Sequence, residues 1–123
     1  MGGAFNSFDN TLDFVGEEFL PVHTQGVFGI NLDSFIDNMP FLPNHIKIDV
    51  DGNEHLILMG AKELLKNKNL KSILVELNEK KEDYELSKNL IQQNGFNLVE
   101  KTRATLYEKG SKLSYIYNHI FMR

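Results

Sequence analysis

The sequence predicts an α/β fold built on a mostly parallel sheet with helical crossovers and closed by a C-terminal antiparallel strand pair. Strand-length runs such as "HIKIDV" and "SILVEL" are separated by stretches of helical period. Alternation at that spacing is the pattern of parallel strands joined by crossovers. The last two runs, "FNLVEKT" and "YIYNHIFM", have no helical stretch between them, which predicts antiparallel pairing. A chain of 123 residues has room for one small domain with one core.

Residues 1–26 read as an irregular N-terminal arm. Gly2, Gly3, Gly16, Pro21 and Gly26 interrupt regular structure. Phe5, Phe8, Phe14 and Phe19 argue against disorder, because disordered segments are poor in aromatics, so the arm is expected to lie on an apolar surface. "VFGIN", 27–31, reads as a short strand. "LDSFIDN" follows as one or two helical turns with Asp33 as candidate N-cap. Pro40 and Pro43 bracket a connection, and in "HIKIDV" Ile46, Ile48 and Val50 alternate as in a strand.

From Asn53 to Lys66 the period is helical, with Ile57, Ala61, Leu64 and Leu65 on one face beside Gly60. Asp51 and Glu54 at its start and Lys62, Lys66 and Lys68 at its end suit the helix dipole. "SILVEL", 72–77, has the look of a strand covered on both faces. Residues 82–93 predict a helix packed through Leu86, Leu90 and Ile91, with Gly95 at a left-handed C-cap. "EKGSK" falls in the long turn before the last strand.

The net charge of −4 gives no electrostatic footprint for nucleic acid, and Lys66, Lys68 and Lys71 read as a solvated helix end balanced by acids. No apolar run approaches the ~20 residues of a membrane span. The N-terminus lacks the basic and apolar regions of a signal peptide, and "MGGAFN" lacks the hydroxyl residue of a myristoylation site. The absence of cysteine removes disulfide and thiolate chemistry and fits a reducing compartment, so a cytoplasmic location is expected.

The chemistry concentrates in "KIDVDGNEH", 47–55. An EF-hand is excluded, because with Gly52 as its glycine the first ligand falls on Lys47 and the last on Leu58. A glycosyltransferase-type D-x-D site remains formally possible, since Asp49 and Asp51 flank one residue at a strand end where a hard cation bridges to a diphosphate, but the motif is short. A third reading uses the rule that open parallel sheets bind ligands beyond the carboxyl ends of their strands. Asp49 and Asp51 alternate and so share a direction. Gly52 permits a tight turn, Asn53 and Glu54 open the next helix, and Glu76 and Asn78 end the neighbouring strand facing the same crevice. Asp51 and Glu54 also have a purely structural role open to them, as helix cap and dipole complement. Asp49 on an apolar strand is harder to explain that way. Lys47 either snorkels or pairs with a nearby acid. His23, His45, His55 and His119 have no metal-ligand spacing and read as structural or exposed, so no metal site is expected. No serine lies in a nucleophile elbow.

"NLDSFI", "IKIDVDGNEHLILMGAKELL", "SILVELN" and the closing "YNHIFMR" together resemble the FkbM family of methyltransferases over residues 27–123. The family pattern looks like K-I-D-V-E-G-x-E followed by a helix with L-x-G-A. Lys47, Ile48, Asp49, Val50, Gly52, Glu54, Gly60 and Ala61 match, Asp51 replaces the usual glutamate, and Asn53 stands where a small residue is common. The resemblance implies a Rossmann-like class I methyltransferase fold, with strand order 3-2-1-4-5-7-6, that uses S-adenosylmethionine for methyl transfer, commonly to oxygen, on a small-molecule or glycan substrate. Residues 27–123 would supply strands 4 to 7, the C-terminal half of that domain. No Gly-rich turn follows an apolar strand anywhere in the sequence, so no cofactor-binding residues are assigned and activity of the chain alone is not expected. By the same resemblance Asp49 is the candidate catalytic residue with Lys47 and Glu54 in support, and Asp51, Asn53, Glu76 and Asn78 are candidate substrate contacts. Without a strand 1 beside it, strand 46–50 would be a bare edge, which predicts a homodimer through that edge or through the N-terminal arm, or failing enzymatic function a self-associating interaction module.

Overall fold

A computed structural model describes residues 11, 17–50, 52–103 and 113–123. The elements run α1 (Leu32–Ile36), β1 (His45–Ile48), α2 (Glu54–Met59), α3 (Lys62–Lys66), β2 (Ser72–Asn78), α4 (Tyr84–Gln93), β3 (Asn97–Thr102) and β4 (Ile116–Met122). The strands form one sheet in the order β1-β2-β4-β3. That order agrees with the 4-5-7-6 end of the class I methyltransferase sheet.

The sheet is not mostly parallel in its pairings. β1 and β2 are parallel, whereas β4 runs antiparallel to both β2 and β3. The expectation failed on one strand. β1, β2 and β3 all point the same way, as crossovers require, but β4 inserts between β2 and β3 and converts what would be a second parallel pair into two antiparallel ones. The predicted β3–β4 hairpin pairing is present, with a register shift between Leu98 and Glu100.

All helices described here pack on one face of the sheet. Ile73, Val75 and Leu77 of β2 meet Leu58 of α2, Leu65 of α3, Ile91 of α4 and Phe121 of β4 in the core. Successive residues of a strand face opposite ways, so Leu74, Glu76 and Asn78 turn to the other face, where they are only half-buried. β2 therefore alternates and is not covered on both sides as its apolar sequence suggested. Arg123 closes the layer from the end of β4, donating from Nη2 to the Leu65 carbonyl at 2.6 Å with its guanidinium 3.8 Å above the Phe96 ring.

Four further local expectations are corrected. Residues 27–31 form no strand, since no neighbouring strand among the described residues completes their hydrogen bonds, and Phe28 is 92% exposed. The predicted helix over 53–66 is two helices that break at Gly60–Ala61. Asp33 does not cap α1, whose cap is Asn31, with Oδ1 accepting from the Ser34 N–H at 2.8 Å. Asp33 instead reaches across the chain. Its carboxylate oxygens accept from the N–H groups of Glu63 and Leu64, each at 3.0 Å, and its own N–H donates to the Gly60 carbonyl at 2.9 Å. Asp33 thus holds the first turn of α3 and fixes the break. The approach is close at Gly60, where a Cβ would lie 3.1 Å from Asn31 Cβ and would press the two segments slightly apart. Finally, α4 buries Ser87 and Ile91 and leaves Leu86 46% exposed. Gly95 does adopt positive φ, +88°, at the end of α4. The arm residues Gly2, Gly3, Phe5, Phe8, Phe14 and Gly16 lie outside the described residues.

Two stability changes follow. Asp33→Ala removes both cap hydrogen bonds from α3 and should lower the unfolding free energy by about 1–2 kcal/mol in urea titrations followed by circular dichroism. Ser87 Oγ is buried with no hydrogen-bond partner among the described residues. Ser87→Ala should therefore raise stability by roughly 1 kcal/mol in the same titration, where a well-bonded serine would give a loss.

Candidate functional site

The parallel pair places the acidic strand ends side by side. Ile48 is in register with Val75, so one residue further on Asp49 comes abreast of Glu76 at the carboxyl edge of the sheet. By strand alternation Lys47, Asp49 and Glu76 all face the side not covered by helices. Lys47 Nζ stands 2.8 Å from Asp49 Oδ2. Hydrogen bonding and attraction from Asp49, with a smaller pull from Glu76, hold the Lys47 ammonium above its ordinary pKa. Lys47 thus pairs with an acid, one of the two roles its place in an apolar strand left open.

The turn after β1 is held from two sides. Gly52 has φ +110°, a conformation that favours glycine, and a Cβ there would overlap the Lys81 ammonium. Its N–H donates to Glu54 Oε1 at 3.0 Å, and its carbonyl accepts from Lys81 Nζ at 3.3 Å. Glu54 is buried, and the bond to Gly52 engages its carboxylate in shaping the turn. Asn53 precedes α2 without a side-chain cap bond. It lines an open, mainly apolar groove of about 610 Å³ with Ile30, Phe35, Val50, Leu56 and Ile57. Asn78 Oδ1 accepts from the Lys80 N–H at 3.0 Å and so stabilises the β2–α4 turn. Asp51 lies outside the described residues. The structure therefore gathers Lys47, Asp49 and Glu76 on one surface, while Glu54, Asn53 and Asn78 serve the neighbouring turns and groove.

A second cluster escaped the sequence reading. Glu79, one residue past β2, receives Lys101 Nζ at 2.8 Å and lies 3.3 Å from His119 Nε2 and 3.4 Å from the Tyr84 hydroxyl. His119 is fully buried, and its Nδ1 lies 3.0 Å from the Tyr117 carbonyl. Both ring nitrogens thus face oxygens, and a neutral imidazole has only one N–H to donate. Burial lowers the His119 pKa below 6.5, against the opposing attraction of Glu79. Burial also pushes Glu79 up, but its bonds with Lys101 and His119 win and hold it below 4.5. The same turn carries Asp83, whose Oδ2 is 2.7 Å from His55 Nδ1 on α2. The only sequence signal for this cluster was the alternation of Tyr117, His119 and Phe121 along one face of the last strand. Its partners lie 22 and 40 residues from Glu79. Among the described residues no group of three or more His, Cys, Asp or Glu converges as a metal site would require. No helix among them is long and apolar enough to cross a membrane.

Comparison with known proteins gives one match. The sequence model of the family described as "Methyltransferase FkbM domain" matches residues 5–113. No curated protein and no solved structure is matched.

The buried cluster has a pH signature. A histidine whose folded pKa lies below its unfolded value binds fewer protons in the folded state, so its contribution is complete above about pH 6.5 and is lost as pH falls. Glu79, held below 4.5, adds a further loss on the acid side of that value. Unfolding free energy should therefore fall by up to about 1.4 kcal/mol per pH unit below pH 6.5 as one extra proton is taken up on unfolding. His119→Gln, which has no proton to gain, should flatten the slope just below about pH 6.5 in urea titrations repeated across pH.

Proposed function

The chain belongs to the FkbM methyltransferase family, and from that premise we propose that its β1–β2 edge forms the acceptor side of an S-adenosylmethionine-dependent methyl transfer to a hydroxyl oxygen. The observation that carries this reading is the placement of Asp49 beside Glu76 where the two parallel strands end, the position at which open α/β sheets receive ligands.

Asp49 is the group assigned to the acceptor. Asp49 would take the proton of the acceptor hydroxyl as that oxygen gains the methyl group and the methyl–sulfur bond of the donor opens, its electron pair staying on sulfur as S-adenosylhomocysteine. Lys47, 2.8 Å away, holds that carboxylate in place on the exposed strand end. Glu76 lies beside it, in position to orient further hydroxyls of a small molecule or glycan. Glu54 supports the site by fixing the Gly52 turn. Asn53 and Asn78 follow as further acceptor contacts, and the sequence motif adds Asp51 to them.

S-adenosylmethionine supplies an activated methyl group. The sequence has no Gly-rich turn after an apolar strand, and the positive-φ glycines among the described residues are Gly52, held by Glu54 and Lys81, and Gly95 at the end of α4, which supports a donor site completed from outside these residues. In this reading the chain carries the acceptor half of the site and does not turn over alone.

Isothermal calorimetry tests the division of labour. S-adenosylmethionine should give no saturable heat with this chain at concentrations that saturate a complete family member. Saturable heat would show a donor site in the chain and overturn the half-site reading. Saturable heat with a sugar nucleotide and Mn²⁺ would instead support the D-x-D reading. The acceptor role is tested in a complete family member, where Asp→Asn at the position matched to Asp49 should lower kcat about 10²–10⁴-fold with donor binding unchanged. An unaltered kcat would remove Asp49 from the chemistry.

A further inference from the structure

We propose that residues 20–30 of one copy lie in the apolar groove of a second copy, making the chain a reciprocal two-fold dimer. Residues 20–30 are exposed along their whole length and form no hydrogen bond with the rest of the described chain. Leu20 is 93% exposed, Phe28 92%, and Val22 between them is fully exposed. A segment of this composition gains nothing by standing in water. The same chain presents an open groove of about 610 Å³ with apolar walls from Phe35, Val50, Leu56 and Ile57.

Segment and groove meet at Ile30, which ends the first and lines the second. This continuity selects a second copy as the occupant. A segment that leaves from the rim of its own groove meets the identical rim of a two-fold mate, so each segment fills the other's groove and the contact closes on itself. The area is adequate. Phe28 alone offers about 200 Å². The exposed apolar side chains of the segment and groove walls together offer on the order of 800 Å², the share each partner gives to a standard interface. A bilayer is a poorer occupant, because the net charge of −4 is repelled by anionic lipid. The inference does not rest on the methyltransferase reading, although the two share Asn53, which lines this groove as well as serving the acceptor side.

The chain has no cysteine, which makes cross-linking specific. Mixing chains carrying Phe28→Cys alone with chains carrying Leu56→Cys alone should give a mixed disulfide dimer on a non-reducing gel. Sedimentation of the unmodified chain should show a species of twice the 14.1 kDa mass at micromolar concentration. Phe28→Ser with Val22→Ser, both on the exposed segment and so without effect on the circular dichroism, should shift that species to monomer at least tenfold more readily on dilution. A monomer at all concentrations would overturn the proposal. So would polydisperse aggregates unaffected by the double substitution, or a dimer in which the mixed disulfide does not form.

Discussion

The carboxyl end of this domain depends on the turn between β2 and α4. In five residues, Glu79 to Asp83, it connects to β3, β4, α2 and the turn that follows β1. Glu79 ties it to β3 through Lys101 and to β4 through His119. Lys81 ties it to the Gly52 turn, and Asp83 ties it to His55 on α2. These contacts differ in weight. An exposed pair such as Lys47 with Asp49 adds little to stability, since water screens it and two long side chains must be ordered. Glu79 works in a drier place, against a fully buried imidazole, where a lost partner leaves a polar group unsatisfied. Asp49 stays exposed at a strand end, whereas the half-buried Glu79 and the buried Glu54 are bonded into the frame.

That division separates residues that look alike in sequence. Asp49 and Glu54 both sit in the acidic stretch, yet one is exposed at a strand end and the other buried with its carboxylate on a backbone N–H. Asp33 has the same chemistry as Asp49 and an unrelated duty, joining α1 to α3 across 30 residues of chain. Which carboxylate serves which purpose is set by the fold, through which backbone donors come within reach.

Much of the layout was legible because it follows local periodicity. Ile46 and Ile48 alternate inward as their spacing required, and the positive φ of Gly52 and Gly95 follows from what a tight turn and a helix end demand. What was not legible depends on non-local partners. Val27, Phe28 and Ile30 have strand-forming side chains but no strand beside them. The helical pattern of 53–66 ran unbroken through Gly60, because the carboxylate that interrupts it comes from Asp33. Leu86 outranks Ser87 on any hydrophobicity scale, yet Ser87 shares the face of Ile91, and the phase of the helix decides. At the site, the meeting of Asp49 with Glu76 was readable from two strand ends in parallel. The Glu79–His119 pairing was not, since nothing in either residue's neighbourhood points to the other.

The position of β4 has a consequence for how the chain reaches this state. Among the described residues β3 pairs only with β4, and β4 follows it in the sequence. As the polypeptide emerges from a ribosome, β1 and β2 can join as soon as α2 and α3 have formed, but β3 must wait for β4 to arrive and slide into the gap between it and β2. These four strands thus gain a middle member after both of its flanks, and the interval before that insertion is when β2 and β3 each carry an unprotected ladder of peptide groups open to misassembly.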